Sequence, residues 1–427
     1  VSAQPQALSR KAMAVAALST VVEWYDFTLY LYFATILSRS FFGPGAQALG
    51  ETLAGFAIAY LMRPLGAMVF GHFGDRHGRR QTLLLSMALM TLAMLLTACL
   101  PTRAQAGPIA GGLLLGLRCL MGFSVGGEYT GVVTYLLEGA PEHRRGLIGS
   151  LAAAASEVGG LLAVAVCALT AGAMDQASLD AWGWRIPFLI GSALAGTVWL
   201  ARSSLPEPPL FEAQRHKSDA SPLRHALRHE RSGIARGFAI SALGSITYYV
   251  GITYVPAYLQ SVGWREESTA LGLSTLAAVV VIAVTPLVGA LSDRLGRKPV
   301  LLALCAGSVV LPAAMFALMA GGDAVTAAAG ACVLAALAGG VSAVGAVATA
   351  EQFSTTSRLS GLALGATSAT ALFGGAAPYA AHALLGATHW AAAPGALIAV
   401  VALGVAPVLL RAPETAPVET PSLAPAS

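Results

Sequence analysis

Charge is scarce in this chain. Asp, Glu, Lys and Arg make up only 11% of its 427 residues, against roughly 25% in a soluble domain, and no water-facing surface can be built from such a mixture. Cysteine is sparse too. Cys99, Cys119, Cys167, Cys305 and Cys332 stand singly inside apolar segments without C-x-x-C spacing, which leaves no disulfide framework to read and points to reduced packing residues. The histidines (His72, His77, His143, His216, His225, His229, His382 and His389) fall in loops and helix ends without metal-site spacing, so no metal is expected. There is no P-loop, nucleophile elbow or dinucleotide fingerprint. Their absence removes ATP-driven work and any obvious enzymatic activity, and leaves no cofactor to expect beyond the proton.

Apolar residues, by contrast, dominate: 56% of the chain, with mean hydropathy +0.70. Apolar runs fall near 12–39, 50–72, 81–100, 108–137, 147–173 and 184–204, then 236–260, 268–291, 299–319, 324–349, 359–386 and 390–410, each about long enough to cross a hydrocarbon core of roughly 30 Å. The pattern predicts an all-α membrane protein of twelve transmembrane helices, with the first run expected to be a retained helix rather than a removed leader. Residues 206–234, opening on Pro206-Glu207-Pro208-Pro209 and rich in arginine, are the only long polar stretch and read as a linker between halves at 1–205 and 235–411, followed by a tail at 412–427.

The net charge of +4 is topological. Basic residues sit in short loops, which gives no support to nucleic-acid binding. With a cytoplasmic N-terminus, nineteen Lys and Arg residues fall inside and only Arg39, Arg103, Arg185 and Arg265 outside; that bias predicts both termini in the cytoplasm.

An internal repeat carries the most specific signal. Gly71, Asp75, Arg76, Gly78, Arg79 and Arg80 recur as Gly289, Asp293, Arg294, Gly296, Arg297 and Lys298, each offset by 218 residues. A duplicated G-x-x-x-D-R-x-G-R-[RK] between helices 2 and 3 and between helices 8 and 9 implies two six-helix halves in one membrane orientation, a parallel-repeat plan.

That loop resembles the signature of the major facilitator superfamily. Glu23-Trp24-Tyr25-Asp26-Phe27, Arg63-Pro64-Leu65-Gly66, Gly122 to Gly131, Trp182 to Phe188 and Phe373-Gly374-Gly375 further resemble its metabolite:proton symporter family, with carriers for citrate, α-ketoglutarate, shikimate, and proline or betaine. The resemblance covers nearly the whole chain. It implies a major facilitator fold of two pseudo-symmetric six-helix bundles, alternating access in a bacterial inner membrane, and loop motifs whose acids and arginines (Asp75, Arg76 and Arg79; Asp293, Arg294 and Arg297) gate the cytoplasmic side. On a plainer reading, Gly78 and Gly296 allow tight turns and the arginines anchor helix ends to lipid phosphates.

Charges inside the spans are functional candidates, since an ionisable group at the bilayer centre costs at least ~2.5 kcal/mol on insertion scales. There are six: Glu23, Asp26, Arg63, Arg118, Glu128 and Glu157. Glu23 and Asp26, spaced i, i+3, share one helix face with Tyr30 a turn further on. Two neighbouring carboxyls in low dielectric cannot both ionise cheaply, so they, with Glu128 and Glu157, are the proton-coupling candidates, and which one moves the proton stays open. Alternatively, each acid is bridged to Arg63 or Arg118. Arg118 and Tyr129 share a stripe of helix 4; the planar donor fork of Arg118 suits a carboxylate, supplied by a solute or by an internal acid when the site is empty. Gly122 and Gly126 form a G-x-x-x-G that reads as close helix packing.

The second half holds almost no mid-membrane charge. Its helix 7 instead offers Tyr248, Tyr249, Tyr254 and Tyr258. Neighbours Tyr248 and Tyr249 should point apart, so one of them is expected to face a central cavity, where phenols and Trp24 can hydrogen-bond a polar solute or cradle an ammonium group. The expectation is therefore proton symport of a small carboxylate-bearing solute, a di- or tricarboxylate foremost, held by Arg118 with Arg63. A proline- or betaine-like zwitterion is the alternative. An exporter is disfavoured because Ser156-Glu157-Val158-Gly159-Gly160 lacks the Gly-Pro of helix 5 in drug antiporters. A non-transporting sensor is disfavoured by a short Pro- and Ala-rich tail without heptads. Membrane lipids and a monomer complete the expected surroundings.

Overall fold

A computed structural model of the chain describes residues 10–77, 79–126, 142–203, 228, 230–263, 267–321, 323–353 and 361–416, in side-chain detail except at 10–17, 68, 71–80, 82–83, 142, 151–152, 267 and 363. Every regular element among them is helical. The first half comprises α1 (Arg10–Tyr32, prolonged by Ala34–Leu37 and a π-turn at Ser38–Phe42), α2 (Ala46–His77), α3 (Arg79–Ala98), α4 (Ile109–Ser124), α5 (Arg145–Ala173) and α6 (Arg185–Ser203). The second comprises α7 (Arg231–Tyr248, a π-turn at Tyr249–Thr253, then Val255–Ser261), α8 (Glu267–Leu295), α9 (Arg297–Gly321) and α10 (Ala324–Ala350). It ends in α11 (π-turns at Ala363–Thr367 and Ala371–Gly375 around Ser368–Thr370, then Ala377–Thr388) and α12 (Ala393–Arg411).

Large apolar side chains face outward, among them Leu169, Val310, Leu287 and Val400. That is the arrangement a lipid solvent rewards and water penalises. Six described helices (α5, α6, α8, α9, α10 and α12) are long and apolar enough to cross a membrane, and α7 makes a seventh if its two parts, bent by 51°, count as one span.

Small residues set the closest crossings. At Gly122 a Cβ would run into the carbonyl of Ala59 on α2, and at Gly126 into the backbone of Ala67 and Arg63. The G-x-x-x-G at the end of α4 and in the turn after it therefore serves packing against the very turn of α2 that carries Arg63. Pro64 sits inside that turn and removes the N–H that Tyr60's carbonyl would otherwise accept.

The halves meet where α5 packs along α8 and α10, and α2 along α11. The starts of α5 and α9, the ends of α8, α10 and α12, and the segment after α12 share one end of the bundle, here called the basic end for Arg145, Arg297 and Arg411. At the opposite end α11 meets α2 through His382, whose Nε2 lies 3.1 Å from the carbonyl of Ala46 while Tyr254 Oη lies 3.4 Å from Nδ1.

Candidate functional site

Between the halves lies a cavity of about 180 Å³, lined by Glu23 and Trp24 of α1, Tyr60 and Arg63 of α2, Glu157 of α5, and Ser245, Tyr248 and Tyr249 of α7 among others. Drug-sized ligand pockets run to roughly 300–1,000 Å³, so this one suits a small metabolite. Its other walls come from the basic-end halves of α10 and α11, for example Ser342 and Thr370.

Arg63 is its described cation. One guanidinium nitrogen, Nη2, donates to Glu23 Oε1 at 2.7 Å; the other, Nη1, donates to Tyr60 Oη at 3.0 Å, and Nε is buried without a hydrogen-bond partner. The guanidinium plane lies 3.8 Å from the ring centre of Phe27, a contact that favours a delocalised cation. From Tyr60 the network crosses to the other half, because Tyr60 Oη and Tyr249 Oη are 2.9 Å apart. The rings of this pair are seated on Gly375 and Gly374 of α11, where a Cβ would meet Tyr60 at 2.6 Å and Tyr249 at 2.9 Å.

A second bridge joins the halves: Tyr248 Oη donates to Glu157 Oε2 at 3.1 Å. Glu157 is 4% exposed and forms no ion pair among the described residues. Trp24 meets Tyr248 edge to face, with ring centres 5.5 Å apart.

Several expectations are corrected by these positions. Glu23 and Asp26 do share a helix face, yet they do not share a site. Asp26 Oδ2 accepts from Arg118 Nη1 at 2.9 Å, and Arg118 Nη2 donates to Thr97 on α3 at 3.3 Å. Each acid has its own guanidinium, which offsets the mutual repulsion argued from spacing. Arg118, 4% exposed and flanked by the rings of Tyr30 and Phe188, is not among the residues lining the cavity, and neither is Asp26. Tyr30 turns away as well, donating to the carbonyl of Thr52. Tyr248 and Tyr249 both line the cavity, with ring centres 5.3 Å apart, because the 100° between them is spanned by a cavity that lies against α7 where its π-turn begins. Tyr254 and Tyr258 serve other contacts, at His382 and at the carbonyl of Phe316. Glu128 and Tyr129 lie outside the described residues. So do Gly78 and, at side-chain level, Gly71, Asp75, Arg76 and Arg79.

The second copy of the repeated motif is described in full. Asp293 Oδ1 and Oδ2 accept the backbone N–H groups of Gly146 and Leu147, both at 2.8 Å. A carboxylate of one half thus caps the first turn of α5 in the other, where orphan N–H groups and the helix dipole favour negative charge. Arg297 Nη1 holds the same carboxylate at 2.8 Å and its Nε reaches Glu351 at 3.4 Å. Gly296 takes φ +97°, a left-handed turn that suits glycine; Arg294 is exposed.

A cavity between the two halves of a chain that is helical in every described regular element is what comparison with known proteins must explain. The family profile described as "Major Facilitator Superfamily" matches residues 16–377. The chain belongs to the major facilitator superfamily. Within it, the chain is 34% identical over 377 residues to the α-ketoglutarate permease of Escherichia coli, covering 87% of both chains. It is 33% identical over 404 residues to the ectoine/proline transporter ProP of Corynebacterium glutamicum, covering 90% of this chain and 80% of the relative. These relatives match the metabolite:proton symporter resemblance. A partially occluded, inward-open structure of the xylose transporter XylE from E. coli superposes with TM-score 0.76 at 20% identity, covering 95% of this chain and 98% of the other, and so shares the superfamily fold.

Tyr60, Ser245 and Thr370 went unremarked as site residues in the sequence. Tyr60 had a signal, since it stands one helical turn from Arg63 (i, i+3) on the same face. The two hydroxyl residues had none beyond being polar within an apolar run.

Proposed function

We propose that this chain is a proton-coupled symporter that imports a small carboxylate-bearing metabolite by alternating access. In this reading α1 to α12 are twelve spans in two six-helix bundles joined by the 206–234 linker. The basic end, both termini and the 412–427 tail face the cytoplasm of a bacterium, and a monomer in the inner membrane is the working unit.

One observation supports this reading most: Arg63 lines the cavity, is shared with Glu23, and keeps Nε unpartnered. A solute carboxylate entering the cavity competes with Glu23 for the guanidinium fork. Once displaced, Glu23 would be a carboxylate buried to 1% exposure without its cation, a state costing several kcal/mol. It takes a proton instead, so solute and proton load together. Asp26 and Arg118 stay paired behind the cavity wall and tie α1 to α4 and α3. Opening toward the cytoplasm then requires the Asp293 cap on α5 to adjust, the gating role that the family resemblance implies.

The single described cation favours one carboxylate over the two or three of the foremost expectation. A second reading, a zwitterion, is supported by Glu157, which has a phenol but, among the described residues, no ion-pair partner, and by the rings of Trp24 and Tyr248 that an ammonium group would face. Proteoliposomes with an imposed inward proton gradient test the proposal. Accumulation of a carboxylate solute that collapses with the gradient is expected, and accumulation indifferent to the pH difference would contradict it.

A further inference from the structure

The wall facing Arg63 across the cavity is uncharged among the described residues, and among the hydroxyls that line it Ser245 and Thr370 have their hydrogens fixed by hydrogen bonds within the wall. Ser245 of α7 donates its hydroxyl hydrogen to Thr370 Oγ1 of α11 at 3.1 Å. Thr370 in turn donates its own hydrogen to the carbonyl of Ala366 at 2.8 Å. A hydroxyl owns one hydrogen and two acceptor sites. Both hydrogens are therefore spent inside the wall, and Ser245 Oγ, on a residue only 7% exposed that lines the cavity, has lone pairs left for the cavity.

Position adds a length scale. Ser245 precedes Tyr249 by four residues, about 6 Å along α7, and Tyr249 meets the Tyr60 that Arg63 holds. Ser245 and Arg63 line the same cavity.

We propose that Ser245 is a specificity-determining residue: its Oγ accepts a hydrogen bond from a hydroxyl or N–H borne by the end of the solute remote from the carboxylate on Arg63. This rests on the carboxylate reading given above. A second carboxylate would bring only acceptors to an acceptor, and a quaternary ammonium has no N–H to give. The favoured class is thus a hydroxy or amino acid with its donor several bonds from the carboxylate.

Three probes of one shape separate the cases: 4-hydroxypentanoate carries a donor, 4-oxopentanoate only an acceptor, and pentanoate neither. Their dissociation constants are measured by titration calorimetry on the purified full chain and its variants. The hydroxy acid should bind the wild type roughly ten-fold more tightly than the other two, the value of one hydrogen bond and the cost of an acceptor left unmatched. In Ser245→Ala that advantage disappears, and in Ser245→Thr it returns. In Thr370→Val the serine hydrogen is released, Ser245 can donate, and the oxo acid gains relative to the hydroxy acid. Equal binding of all three by the wild type, an advantage that survives Ser245→Ala, or an unmoved preference in Thr370→Val overturns the assignment. Arg63→Ala weakens all three together if the underlying carboxylate reading holds. An Arg63→Ala variant that binds them as the wild type does contradicts that reading itself, whatever Ser245 does.

Discussion

The two walls of the cavity are built from opposite chemistry. The first half supplies Glu23, Arg63 and Glu157, and the second supplies hydroxyls and phenols from α7, α10 and α11. Such asymmetry in a duplicated fold divides the work. A charged wall can exchange partners among solute, acid and proton, whereas a neutral wall adds shape and hydrogen-bond direction without a charge of its own. Tyr60–Tyr249 and Tyr248–Glu157 are hydrogen bonds that join the walls, so a change in the pairing of Arg63 or Glu157 reaches the second half through phenol hydroxyls.

The comparison breaks most visibly at Arg63. Arg63→Ala should weaken binding of any carboxylate solute at least ~100-fold, in the range of removing a desolvated charged partner, read by titration or by counterflow in proteoliposomes. Retained affinity would mean that the charged wall does not hold the solute. Arg118→Ala sharpens the contrast within the first half. It strands Asp26, 1% exposed, and should destabilise the protein by about 3–5 kcal/mol, seen as a lowered midpoint of thermal unfolding, while the rank order of solutes stays that of the wild type. A changed rank order would put Arg118 back in the binding site.

The smallest effect is expected at the tail. Glu414 Oε1 and Oε2 accept the first N–H groups of α9, from Arg297 at 2.8 Å and Lys298 at 3.0 Å. Partial burial pushes the Glu414 carboxyl up, but hydrogen bonds from the N–H groups of Ala416, Arg297, Lys298 and Thr415 outweigh it and hold it below the ordinary range. A depressed carboxyl contributes stability above its unfolded value, near 4.3, and loses it as pH falls through the folded one. Glu414→Ala should thus cost at most about 1 kcal/mol at neutral pH, typical of a lost helix cap. Comparing thermal midpoints of variant and wild type at pH 7 and in acid checks it, because the difference should shrink in acid.

Much of this architecture was legible from residues. The 218-residue offset marked Asp293 and Arg297, and the crossing of α4 on α2 was written in Gly122 and Gly126. The choice between arginines was not legible. Arg63 and Arg118 are both lone cations in apolar runs, and which faces the cavity depends on how α4 is rotated against α1 and α3, a packing outcome that periodicity does not encode. Adjacent Tyr248 and Tyr249 misled for a similar reason. A regular helix sets them 100° apart, and the width of the cavity against α7 decides that both reach it. Glu23 and Asp26 were rightly placed on one face, but their partners come from helices 40 and 92 residues away, beyond any local rule.

The claim on which the rest depends is that a solute carboxylate and Glu23 compete for Arg63, so that solute and proton bind together. Affinity for a carboxylate solute, measured against pH in the wild type and in Glu23→Gln, tests it most directly. The account predicts that wild-type affinity falls as pH rises, approaching ten-fold per unit where one proton is taken up with the solute, and that Glu23→Gln binds at least as tightly with a flat profile. A wild-type affinity independent of pH, or a Glu23→Gln profile as steep as the wild type's, would contradict it.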